Sequence, residues 1–200
     1  MVRDGVEALG VLPAEAIEEP DRVAREALGL VHQGHYVDAV LAGTLSEAAL
    51  RRLGFPWRPE LPERSLRTVQ GTLEAARDAL AAGAGINLAG GTHHAFPDHG
   101  EGYCVFNDHA VAIRLLQLEG LIDRAAVVDL DVHQGNGTAA LFAGDASVFT
   151  FSMHGARNYP FRKQRSSRCA VSSSILGEQL ADGVGMNSHQ VDQVAGVAAT

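Results

Sequence analysis

Lysine is nearly missing from this 200-residue chain: Lys163 is the only one. The 16 basic residues face 24 acidic ones, for a net charge of -8. That balance excludes the basic face that phosphate-backbone binding needs, so no nucleic acid partner is expected. It suits a cationic substrate drawn to an acidic rim. Cysteine is scarce as well. Cys104 and Cys169 are too few for a disulfide framework, and their spacing matches no all-cysteine zinc site. The expected compartment is the reducing cytoplasm. No apolar run approaches the ~18 residues of a membrane span. The opening Met1-Val2-Arg3-Asp4-Gly5 lacks the apolar stretch of a signal peptide, so no membrane partner is expected.

What is present is ordinary globular material. Hydrophobic residues make up 46% and charged residues 20%, enough for a sizeable core in one domain. The patterning predicts short helices over 34–43 and 46–53, the second with Ser46 as N-cap and Gly54-Phe55-Pro56 as its stop. Leu66, Val69, Leu73, Ala76 and Leu80 make one stripe of a long amphipathic helix over 60–82, closed by Gly83 and Gly85. Further helices are expected over 107–119, capped by Asn107 or Asp108, and from Gly137 to Phe142. Short apolar runs at 86–89, 125–128 and 148–152 read as strands, the second as one covered on both faces. Strands alternating with helices give an α/β domain with a mostly parallel sheet.

In such a sheet, sites lie beyond the carboxyl ends of the strands. His93-His94 follows the first run, Asp129, Asp131 and His133 follow the second, and His154 follows the third. Alternate side chains of an extended segment share one side, so Asp129, Asp131 and His133 can face one pocket. An oxygen and an imidazole nitrogen from Asp131 and His133 begin a zinc site, which normally takes three protein ligands plus water. Asp129 could instead orient a histidine through a hydrogen bond. The plain alternative is a polar strand end. Adjacent histidines act on one centre only where the backbone bends, which Gly90-Gly91 permits. Their near-neutral pKa suits proton transfer. His99 reads as a solvated loop residue, His109 as structural, and Phe96 and Tyr103 as flanking aromatics.

Four motifs occur in order: Gly90-Gly91-Thr92-His93-His94-Ala95, Gly102-Tyr103-Cys104-Val105-Phe106-Asn107-Asp108, Val128 to Thr138, and Phe151-Ser152-Met153-His154. Together they resemble the histone deacetylase family over about residues 28–165, in a bacterial branch similar to class IV enzymes. The resemblance implies an arginase/deacetylase-like fold and zinc-dependent hydrolysis of an acetyl-lysine or acetylated-amine amide bond. Asp131 and His133 match two zinc ligands. His93 matches a histidine paired with Asp129, and His94 the general base and acid, with Asn136 behind it. Gly102 and Tyr103 match the acyl-lysine channel, which His154 is also expected to line. Ser152, Met153 and the backbone around Asp129, Asp131 and His133 match a structural potassium (K+) site.

The family's third zinc ligand, an Asp in a later Gly-x-Asp segment, has no counterpart here, nor has its oxyanion-stabilising tyrosine. The expectation is a partial domain over 1–165 that lacks the C-terminal part of the fold, cut short by a frameshift near residue 166. Residues 166–200 would be a divergent, disordered tail. The alternative function is a catalytically inactive remnant with an incomplete metal site. An arginase-like two-metal centre would need a second Asp/His cluster, and the sequence shows none.

Overall fold

The computed structural model describes residues 2–10, 12, 16–165, 169–172 and 195–198, the last two as backbone only. In chain order the elements are α1 (Val2–Ala8), α2 (Arg25–Leu28), α3 (Gly34–Ala42), α4 (Glu47–Leu53), α5 (Glu60–Ala82), α6 (Asp108–Leu118), β1 (Ala125–Asp129), α7 (Asn136–Leu141), β2 (Val148–Met153), β3 (Cys169–Ser172) and β4 (Ala195–Ala198). The helix boundaries follow local chemistry. Ser46 Oγ accepts from the Ala49 N–H, 3.2 Å away, and satisfies a donor that the first turn of α4 leaves open. Asn107 Oδ1 does the same for Ala110 at the start of α6. Gly54 ends α4 with φ at 89°, a conformation that costs glycine little.

The strands form one sheet in the order β3-β2-β1-β4, parallel at every pairing. The register sets Asp129 beside Ser152 at the carboxyl edge. Ala125, Val127 and Val148 bury one face of the sheet under Leu73 of α5 and Ala112, Ile113 and Leu116 of α6. Ala126, Val128, Phe149 and Phe151 on the other face are only half-buried, so β1 is not sealed on both sides as its apolar run suggested. A second cluster joins α2, α3 and α4 to Val69, Val105, Phe106 and Val111.

One expectation changes. Residues 86–89 form no strand: Ile86 is exposed, and Asn87 spends its amide on α5, donating to Thr68 O at 3.0 Å and Thr72 Oγ1 at 2.7 Å. The residues expected to be a disordered tail include β3 and β4, whose backbones pair with β2 and β1. Open edges of a parallel sheet supply the partners that local sequence does not advertise. The rest of that stretch lies outside the described residues.

Candidate active site

The loop after α5 brings in the tandem histidines, and the start of α6 pins it. The buried Asp108 carboxylate accepts from the Gly91 and Thr92 N–H groups, both at 2.9 Å, and from the Thr72 and Thr92 hydroxyls at 2.6 and 2.7 Å. Burial alone would raise this carboxyl. His109 beside it and these hydrogen bonds outweigh burial and hold it well below the usual carboxylate range. Asn107 donates to Ala95 O and Thr138 Oγ1, and the Thr138 N–H donates to His93 O at 3.0 Å. The loop is thereby tied both to α6 and to the first turn of α7.

Within this frame each histidine has a partner on the next strand-to-helix segment. His93 Nδ1 lies 2.7 Å from Asp129 Oδ2, and His94 Nδ1 lies 2.7 Å from Asn136 Oδ1. The two rings are 4.1 Å apart between centroids. Burial, with His93 close by, lowers His94 to a pKa of about 4, although its bond to Asn136 and the nearby Glu101 push upward. The imidazole is therefore neutral at physiological pH and able to take a proton.

Asp131 and His133 lie beside this pair. Asp131 Oδ1 is 3.1 Å from His133 Nδ1 and 4.0 Å from His93 Nε2. An oxygen and an imidazole nitrogen thus lie about as far apart as two ligands of one tetrahedral metal ion would, though the contact shown is a direct one between them. Among the described residues no group of three or more His, Cys, Asp or Glu side chains is arranged to hold a metal ion.

Two tyrosines stand near the histidines. Tyr103, expected along the channel, turns its ring edge-on to Phe55 at 5.1 Å and is 65% exposed. The aromatic packed against the histidines is Tyr159, edge-on to His94 at 5.0 Å and 6.1 Å from His133. Burial and the adjacent Glu101 carboxylate raise its phenol. Its loop is stapled from two sides. Lys163 Nζ donates to Asn158 O and Pro160 O, and the fully buried Gln134 amide both donates to and accepts from the Gln164 backbone. Gly102, at φ 57°, lets the backbone pass close against both rings: a Cβ there would sit 2.6 Å from His94 Cδ2 and 3.0 Å from Tyr159 Cε1. His154, expected in the pocket, is buried at the end of β2, with Nδ1 3.0 Å from Ser152 Oγ. His99 is not merely solvated: it stacks on Phe96 and bonds Asp98.

Sequence reasoning missed Glu101, whose carboxylate accepts from Asn136 Nδ2 at 2.6 Å. It also passed over His32, buried and fully bonded: Nδ1 donates to Phe96 O at 2.9 Å and Nε2 accepts from the Asn107 N–H at 3.0 Å. A lone buried histidine between apolar neighbours gives no periodic signal.

The parallel sheet with this histidine-rich carboxyl edge is that of the arginase/deacetylase fold. A histone deacetylase homologue from Aquifex aeolicus superposes with a TM-score of 0.73 at 22% identity, over 86% of this chain and 51% of that one. The histone deacetylase domain family matches residues 1–191, and the chain belongs to that family. The match runs beyond Arg165, where the motif resemblance stops. An uncharacterised protein of Picosynechococcus is 50% identical over 157 residues, 78% of this chain and 52% of its own length. The acetoin utilization protein AcuC of Bacillus subtilis is 35% identical over 156 residues, 72% of this chain and 40% of its own length. The chain thus spans about half the length of such relatives.

Proposed function

We propose that this site hydrolyses the amide bond of an acetylated lysine side chain or a small acetylated amine, with zinc as cofactor. The observation that carries the reading is the pairing of His93 with Asp129 and His94 with Asn136, beside the converging Asp131 and His133. In this reading Asp131 and His133 would hold the metal. Bound there, zinc would supply Lewis-acid polarisation of the acetyl carbonyl and acidify water.

The chain's own residues handle the proton. His94 commits Nδ1 to Asn136, which leaves Nε2 to take a proton from the attacking water and return it to the leaving amine. His93 commits Nδ1 to Asp129 and turns Nε2 toward Asp131. Gly102, against the His94 and Tyr159 rings, and the exposed Tyr103 beside it are the proposed contacts of the acyl-amine stem. His154 braces the strand end. A potassium ion near Ser152 belongs to the same proposal and rests on the resemblance alone.

The cytoplasm is the proposed compartment, in keeping with the buried free thiol of Cys104, which burial pushes up to about 12. Among the described residues no helix is long and apolar enough to cross a membrane.

Zinc content and acetate release from an acetyl-lysine peptide and an acetylated polyamine test the proposal on the purified chain. One zinc per chain with acetate release from either substrate is expected. Zinc at that ratio with no release from either refutes the hydrolytic reading, and no zinc refutes the metal reading.

A further inference from the structure

Glu101 plays no part in the proton path above, yet its side chain is only 18% exposed and sits directly behind that path. Its carboxylate accepts from Asn136 Nδ2 at 2.6 Å, and on the far side of the same amide Asn136 Oδ1 lies 2.7 Å from His94 Nδ1. An amide side chain can be turned either way, with its oxygen or its nitrogen toward a neighbour. Here the Glu101 carboxylate oxygen accepts, and the end of the amide that faces it is the NH2. The oxygen end is then left for His94, and an oxygen there requires that Nδ1 carry the hydrogen.

We propose that Glu101 is a positioning residue for His94: by fixing the orientation of the Asn136 amide, it holds the imidazole as the Nδ1–H tautomer with the Nε2 lone pair free. This rests on the reading of His94 as the base. The same geometry explains an amide at position 136. A carboxylate there would set two like charges within hydrogen-bond distance, and one of them would have to take up a proton. Tyr159 and His99, whose Nε2 is 3.8 Å from Glu101 Oε2, surround the carboxylate and keep it at the amide.

The test is nitrogen-15 NMR of the imidazole rings in the full chain at neutral pH, which reads the tautomer directly and needs neither metal nor turnover. Wild type is expected to show His94 protonated at Nδ1 and bare at Nε2. Glu101→Gln can bond Asn136 in either orientation, so the Nδ1–H to Nε2–H ratio should fall about tenfold, the worth of one charge-assisted hydrogen bond. Adding Asn136→Asp to Glu101→Gln restores a carboxylate acceptor for His94, and the double variant should recover the wild-type tautomer. A wild-type His94 bearing its proton on Nε2 overturns the proposal even if no variant folds. So does an unchanged ratio in a folded Glu101→Gln.

Acetate release separates this inference from the functional reading. There Glu101→Gln should lower kcat about tenfold with little change in KM, and the double variant should regain it. The expected tautomers in a chain that binds zinc without releasing acetate would leave the positioning role standing and remove the deacetylase reading.

Discussion

The two halves of the site are built differently. The tandem-histidine half is buried, and every member is held by a residue distant in sequence: His93 by Asp129, His94 by Asn136, and their loop by Asp108 and Asn107. The Asp131–His133 half leans on its own backbone. The Asp131 N–H donates to Asp129 Oδ1 and the His133 N–H to Asp131 Oδ1, while Leu130 and Val132 are about half exposed and the His133 side chain is 43% exposed. The tandem-histidine half is therefore part of the core, whereas in the other half only Asp131 is largely buried and its neighbours reach the surface. Substitutions in the first should cost stability, and those in the second should cost function with little change in stability.

Asp108→Ala should have the largest effect. It strips the acceptor from Gly91, Thr92 and Thr72 and leaves buried donors unpaired beside His109. A loss of about 3–5 kcal/mol in urea unfolding is expected, enough to unfold much of the chain. A cost under about 1 kcal/mol would break the comparison.

Acidification comes next, through His32, which burial depresses to about 4. Its folded pKa lies below the unfolded value, so the fold disfavours the proton. The stability this confers is complete above about pH 6.5 and is lost as pH falls from there toward 4. Up to about 3 kcal/mol is at stake. His94 titrates in the same direction and window. Urea midpoints between pH 7 and 4 should show the decline, and His32→Gln should make it about half as steep, leaving the part due to His94.

Gly102→Ala should cost about 1–2 kcal/mol, from the left-handed backbone and the clash with His94 and Tyr159. It should also reduce acetate release more than it reduces stability. Equal losses would mean that Gly102 has a structural part only. The smallest stability effect belongs to His133→Ala, within about 0.5 kcal/mol. The same variant should abolish zinc retention in equilibrium dialysis, which sharpens the contrast between the halves.

Much of this was legible in the chain. The bounds of α5 follow from its apolar stripe and from Gly83, and α4 and α6 begin where Ser46 and Asn107 invite an N-cap. Asp131 and His133 do meet, 3.1 Å apart, but through a bend over 131–133 that follows β1 rather than through the alternation of an extended segment. Tyr159 was not legible as a neighbour of His94. It lies far along the chain, on a loop set by Lys163 and Gln134, and loops carry no period. The resemblance pointed to Tyr103 as a channel aromatic; its contact with Phe55 is set by positive φ at both Gly102 and Tyr103, which no sequence period announces.

Sequence by itself determined the local elements, their caps, the family and the kinds of donor atom the site contains. Those depend on neighbours within a turn or two of chain. Tertiary structure alone decided that Glu101 stands behind Asn136, that Tyr159 rather than Tyr103 meets His94, that His32 clasps the loop, and that 86–89 is not a strand. Each of these depends on which side chain meets a buried polar group from far along the chain. Burial makes every such group take a partner, but it leaves the choice of partner to the packing.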